Sequence, residues 1–154
     1  MNIIEAVSIA DHSPSKIAEK LKSFIFGFKN RRDVTYFDLF LLYPLYSYKP
    51  AYEYFDKNMS LKDKMNFFTT HSSTHPEVFI NVQADFINTL SVMKEGILYA
   101  TNNDYFEIDN NLIVHLTKKT LSNKDRVAEN IGKFCSTKKT SYLYNFFKVD
   151  IDAI

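Results

Sequence analysis

Two unlike hydrophobic patterns fill the first third of the chain. From Ser13 onward, Ile17, Leu21, Phe24, Ile25 and Phe28 recur at helical spacing, with Lys16, Glu19, Lys20 and Lys22 at the other positions. Ser13 before Pro14 reads as an N-cap followed by proline in the first turn. The pattern predicts an amphipathic helix over 14–29. Gly27 lies late in it, where a missing side chain suits a close helix contact. After a charged turn, Asn30 to Asp33, the pattern loses its polar face. In Thr35 to Pro50, TYFDLFLLYPLYSYKP, ten of sixteen residues are Tyr, Phe or Leu. Apolar side chains would surround any helix drawn through this run, so it is expected to be a buried rod. Pro44 predicts a kink near Phe40 to Pro44, and Lys49-Pro50 is expected to end the helix.

The rest of the chain is read as elements laid around that rod. A short helix is expected over 51–58, carrying Tyr52, Tyr54 and Phe55. Ser60 is the expected cap of the next, with Leu61, Met65 and Phe68 on one face. His71 to His75 reads as a polar loop before Pro76. A long helix follows, in which Phe79, Val82, Phe86, Leu90, Met93 and Ile97 are spaced 3, 4, 4, 3 and 4. The period then shortens. Tyr105 to Ile108 and Leu112 to Leu116 are β-type runs around Asp109-Asn110-Asn111, where asparagine tolerates the positive φ of a tight hairpin. Ser122 is the expected cap of a helix with Val127, Ile131, Phe134 and Cys135 inward, and a last helix is expected over 141–147.

The expected fold is therefore mainly α with a small β-hairpin, in one domain. Its parts are N-terminal helices over 13–50, a winged-helix-like unit over 51–117 and C-terminal helices over 118–154. In such a unit the third helix enters a groove and the hairpin is the wing, although the same unit also serves purely as a protein-docking module.

Composition narrows the function classes. The 154 residues are 45% hydrophobic and 16% aromatic, with three glycines, four prolines and one cysteine. Few glycines argue against a phosphate-cradling loop, and one cysteine excludes an internal disulfide framework and a cysteine-based zinc site. No N-terminal stretch reads as a signal peptide and no run reads as a membrane span, which leads to the expectation of a soluble, cytoplasmic protein. The net charge of +1 conceals blocks: six Lys/Arg against one Glu in 16–32, five basic against eleven acidic residues in 33–116, and eight basic against two acidic in 117–148. Such blocks suggest charged partners, though solvated helix faces also vary in sign by chance.

Candidate chemistry is sparse. His71 and His75 are four apart, but they fall in a Ser/Thr-rich stretch with few acids, and a surface loop is the plainer reading than a metal pair. Cys135 lies on an apolar helix face and reads as an inert buried thiol. His115 in a β run reads as packing. With no carboxylate pair, nucleophile elbow or triad order, no catalytic residue, cofactor site or metal ligand is assigned. Asp38, a lone carboxylate among Phe and Leu, is expected at the surface near a helix N-terminus, with Arg31 or Arg32 as alternative partners. Tyr43, Tyr46 and Tyr48, with Lys49 beside them, are candidate partner-docking residues, since tyrosine is favoured at interfaces. Lys118, Lys119, Lys124, Arg126, Lys133, Lys138 and Lys139 are candidate nucleic-acid contacts. A solvated Lys-rich face is the plainer account of them, because arginine and interleaved aromatics are scarce there.

The motif SP-x2-I-A-x2-L-x2-F-x2-G-F over Ser13 to Phe28, then Leu41-Leu42-Tyr43-Pro44-Leu45 with Lys49-Pro50, then Gly96-Ile97-Leu98 before a hairpin, resembles a known family. These segments are similar to the middle components of three-component ABC-ATPase systems, a group that includes the Lamassu type of bacterial anti-phage defence. Ser13 stands where that family usually has Asn, and Phe28 where it usually has Tyr. The closing motif is reduced here to Phe147-Lys148-Val149-Asp150. The resemblance implies a non-catalytic adaptor subunit that links an SMC- or Rad50-like ATPase to an effector, often a nuclease. The alternative from the helix–hairpin pattern is a free-standing winged-helix DNA-binding transcriptional regulator.

Overall fold

A computed structural model describes residues 12–57, 61–117 and 124–154, the first five positions of the helix that starts at Leu61 by their backbone alone. The expected caps Ser60 and Ser122, and the candidate contacts Lys118 and Lys119, lie outside the described residues. The element order is α1 (Pro14–Gly27), β1 (Val34–Thr35), a 3-10 segment (Tyr36–Leu41), α2 (Leu42–Ser47), α3 (Lys49–Phe55), α4 (Leu61–Thr74), α5 (Glu77–Asn102), β2 (Phe106–Ile108), β3 (Ile113–Leu116), α6 (Arg126–Cys135), α7 (Thr140–Phe147) and a closing 3-10 turn (Ile151–Ala153). The fold is mainly α with a small antiparallel sheet, as the periods predict.

Helix α1 lies between α6 and α5, and the chain's three glycines make this possible. A Cβ on Gly132 would stand 2.0 Å from the Phe24 carbonyl oxygen, and one on Gly27 would stand 2.1 Å from that of Glu129. So α1 and α6 cross backbone against backbone. Gly96 of α5 admits the Ile17 side chain in the same way, at 2.3 Å from the position of its missing Cβ. Ile17, Ala18, Leu21 and Phe24 are completely buried as a result. Gly132→Ala forces backbone to move against backbone, with no flexible side chain to yield. It is expected to cost about 1–3 kcal/mol, measured by urea denaturation. Lys22, expected on an outer face, is buried with its ammonium 5.9 Å from the Tyr105 ring.

The aromatic run is buried as expected, but it is not one kinked helix. Thr35 and Asp38 form a capping box that starts the 3-10 segment, and α2 begins after Leu41. Pro44 occupies the third position of α2, among the first four N–H groups, which have no intrahelical acceptor. The break comes at Tyr48, whose backbone is extended, and Lys49-Pro50 opens α3 rather than closing the rod. Phe55, Phe68, Phe134 and Phe147, from four different helices, meet with ring centroids 5.1–6.3 Å apart and close the core.

Two local expectations are corrected. The segment His71 to Thr74 is helical, not a loop. Ser72, Ser73 and Thr74 turn their hydroxyls back to the carbonyls of Thr69, Thr70 and His71, three residues earlier, so their side chains do not compete with the helical backbone. In the hairpin, the positive φ (61°) belongs to Leu112 rather than to asparagine. Asp109 shapes that turn, its Oδ1 accepting from the Asn111 and Ile113 N–H groups at 2.9 and 3.0 Å. The two-residue strand β1 was not anticipated. It pairs antiparallel with β3, Val34 opposite Val114, giving the order β1-β3-β2 and tying the N-terminal helices to the hairpin. The long stripe on α5 turns inward as its spacing predicts: Val82, Phe86, Met93 and Ile97 are buried, and Phe79 and Leu90 pack partly against the core.

Candidate functional site

Asp38 is buried and paired, which overturns its expected place at the surface. It follows directly from the capping box, which fixes its carboxylate at the start of the 3-10 segment. Arg32 grips both of its oxygens, Nη1 to Oδ2 at 2.7 Å and Nη2 to Oδ1 at 2.8 Å. The Thr35 N–H donates to Oδ2 at 2.8 Å and the Thr140 hydroxyl to Oδ1 at 2.9 Å. The same guanidinium donates to the carbonyls of Lys138 at 2.7 Å and Cys135 at 3.1 Å, and it lies 4.9 Å from the Phe28 ring centroid. One ion pair thus fastens the α1–β1 turn, the 3-10 segment, the end of α6 and the start of α7. The bidentate fork and the satisfied lone pairs are what make a buried carboxylate tolerable.

The candidate docking tyrosines divide. Tyr43 is 3% exposed and Tyr48 is 9% exposed, so neither is displayed as the docking reading expects. Tyr48 instead hydrogen-bonds His71 Nε2 at 2.8 Å. His71 continues a column of stacked rings set by the four-residue spacing of α4: Phe67 at 5.1 Å on one side and His75 at 4.4 Å on the other. Burial, followed by the neighbouring imidazole of His75, lowers the His71 pKa. Lys49 is exposed and forms only a loose pair with Glu53, at 3.9 Å.

Tyr46 is half-buried and sits at a surface the sequence does not announce. Its hydroxyl donates to Asp125 Oδ2 at 2.8 Å, its ring meets Tyr52 edge-on at 5.2 Å, and the Lys20 ammonium lies 5.3 Å from its centroid. Burial, then Asp125, raises the Tyr46 pKa, so the phenol remains a neutral donor. Two adjoining hollows, of about 450 and 230 Å³, share Lys20 and Tyr46 in their walls. Lys16 and Lys124 flank the smaller one. Lys16 and Lys20 are one turn apart on α1, which was legible. Their meeting with Tyr46, Tyr52 and Asp125 required the fold.

Three of the five described basic candidates are committed to carboxylates. Lys124 and Lys133 bracket the buried Glu129 at 3.0 and 3.7 Å, and Arg126 pairs Asp56 at 2.8 Å. The Lys138 ammonium lies 5.0 Å from the Tyr142 ring, and Lys139 is exposed at the N-cap of α7. Cys135 is fully buried, and burial, then Asp38, pushes its thiol pKa up, the reverse of what a nucleophile needs. Among the described residues, no group of three or more His, Cys, Asp or Glu side chains is placed to hold a metal. Among the same residues, no helix is long and apolar enough to cross a membrane.

The described residues thus form a buried helical core fastened by the Arg32–Asp38 pair, with tyrosine rings and lysines meeting at its surface around Tyr46. Comparison with family models places the chain. The chain belongs to the family described as ABC-three component (ABC-3C) system Middle Component 3, whose model matches residues 1–151. It is thus a middle component of an ABC-three component system. No curated protein and no solved structure matches it.

Proposed function

We propose that this chain is a non-catalytic adaptor that joins an SMC-like ATPase to an effector subunit within a bacterial anti-phage defence complex of the Lamassu kind. The observation that carries the reading is the family match over nearly the whole chain. The structure adds support of three kinds. Among the described residues, Cys135 lies in the core, His71 is held by Tyr48, and the exposed His115 is paired with Asp109. The face around Lys16, Lys20, Tyr46 and Tyr52 offers tyrosine rings of the kind enriched at protein interfaces, with lysines that would steer an acidic partner, and it is the surface we assign to a partner subunit. The third is the outer face of α5, the helix that a groove-reading winged helix would insert. It presents Ile80, Ile87 and Leu98 rather than a basic strip, which suits protein docking better than phosphate contact.

Co-expression with the products of the adjacent genes tests the proposal. The expected result is a stable complex retained through size exclusion, with no turnover by the isolated chain. Lys20→Glu combined with Tyr46→Ala is expected to weaken it at least tenfold while leaving the melting curve cooperative. Failure of the neighbours to co-purify would overturn the adaptor role. Salt-sensitive, sequence-selective duplex binding by the chain alone, in filter binding at two salt concentrations, would replace it with a DNA-binding regulator.

A further inference from the structure

The outward side of α5 is built to meet another helix. Ile80, Ala84, Ile87, Ser91, Lys94 and Leu98 are all exposed, the three large apolar residues at 68%, 54% and 61%. Their spacing is 4, 3, 4, 3 and 4, the interval at which the side chains of one helix interlock with those of a second laid along it. The stripe runs for about 27 Å. A solvated helix face normally carries charges. This stripe has only Lys94, and its exposed flank reads Asn81, Asn88, Glu95 and Asn102.

We propose that this face docks a second copy of the same chain, the two α5 helices antiparallel about a two-fold axis that passes between Ile87 and Ser91. Size and charge both select that occupant. In this register Ile87 meets Ser91 of the second copy, and Ala84 lies under the stem of its Lys94, so large side chains oppose small ones. Ile80 meets Leu98 of the second copy. Beside Leu98 is a groove of about 650 Å³, walled by Lys94, Ile97, Thr101 and Ile108, which receives the isoleucine. The two Lys94 ammonium groups are separated by ten helical positions, about 15 Å, beyond the screening length of about 8 Å at physiological salt. Glu95 falls beside Asn81. A parallel pair in register would instead bring Lys94 onto Lys94. The face therefore complements itself in one orientation only. An isologous contact of this kind is the commonest route to a dimer.

The full chain alone tests this, so its outcome is independent of the adaptor reading. In sedimentation velocity from about 5 to about 500 µM, we expect a reversible monomer–dimer equilibrium whose midpoint falls inside that range. Ile87→Lys with Leu98→Lys is expected to weaken association at least 100-fold. Both positions are exposed, so the helical signal and melting should hold. Under oxidation, Ile80→Cys with Leu98→Cys should give a covalent dimer, and Ile80→Cys alone should not. The native Cys135 is buried and contributes no background. A monomer throughout the concentration range would overturn the proposal. So would a dimer indifferent to the two lysines, or equal cross-linking by Ile80→Cys alone.

Discussion

Asp38→Ala is expected to lower the unfolding free energy by about 3–5 kcal/mol, measured by urea denaturation followed by far-UV circular dichroism. The substitution removes the only carboxylate that the described structure places on the largely buried Arg32. It also strips the acceptor from the Thr35 N–H and the Thr140 hydroxyl. The loss comes mainly from leaving a buried cation unpaired, not from the net strength of the pair. Replacing both partners is therefore expected to do less damage: Arg32→Met with Asp38→Leu should be milder than the sum of the two single alanine variants. Arg32→Lys should not rescue the fold. An ammonium cannot hold both carboxylate oxygens while also reaching the carbonyls of Cys135 and Lys138. A stability change under about 1 kcal/mol for Asp38→Ala would mean that the pair is of the weak, solvent-screened kind.

Phe40→Ala is the second large loss, about 3–5 kcal/mol, with Leu41→Ala close behind at about 2–5 kcal/mol. Both side chains are almost wholly buried, and the Phe40 ring meets Tyr36 edge-on at 5.1 Å. The spread reflects how far the surroundings collapse into the vacated space. The larger side chain removed places Phe40 toward the upper end. A double variant of Phe40 and Leu41 that melts like the parent would show that the aromatic run does not hold the core together.

These two losses lie on opposite sides of what the residues disclose in advance. The burial of Phe40 and Leu41 was legible because a run with no polar face admits only one environment. The inward stripe of α5, the inward face of α6 and the short-period hairpin were legible for the same reason. Each is a statement about a few consecutive residues. The burial of Asp38 was not, because a carboxylate inside is acceptable only with partners, and Thr140 stands 102 residues away. The helical turn at His71 to Thr74 was also hidden. Its hydroxyl-rich composition favours turns until those hydroxyls bond to the helix's own carbonyls three residues back.

The candidate surface shows the same division. Lys16 and Lys20 could be placed on one side of α1 from their spacing, and Tyr46 could be suspected from its type. Their convergence around shared hollows depends on how α1 and α2 are each seated on α5 and α6. The basic residues after the hairpin could be counted. That Lys133 meets Glu129 follows from their four-residue spacing on α6; that Arg126 reaches Asp56 was decided by the docking of α6.

By itself, the sequence determined the inward stripes of α1, α5 and α6, the burial of the aromatic run and where the period changes to β, since side-chain periodicity acts over single turns. Its motifs also carried the likeness to middle components that the family match bears out. Only the tertiary structure decided that the three glycines let helices touch α1, that Arg32 rather than Arg31 holds Asp38, and that Val34 joins the hairpin. Those outcomes depend on backbones and charges far apart in the chain, and no local pattern encodes their distances.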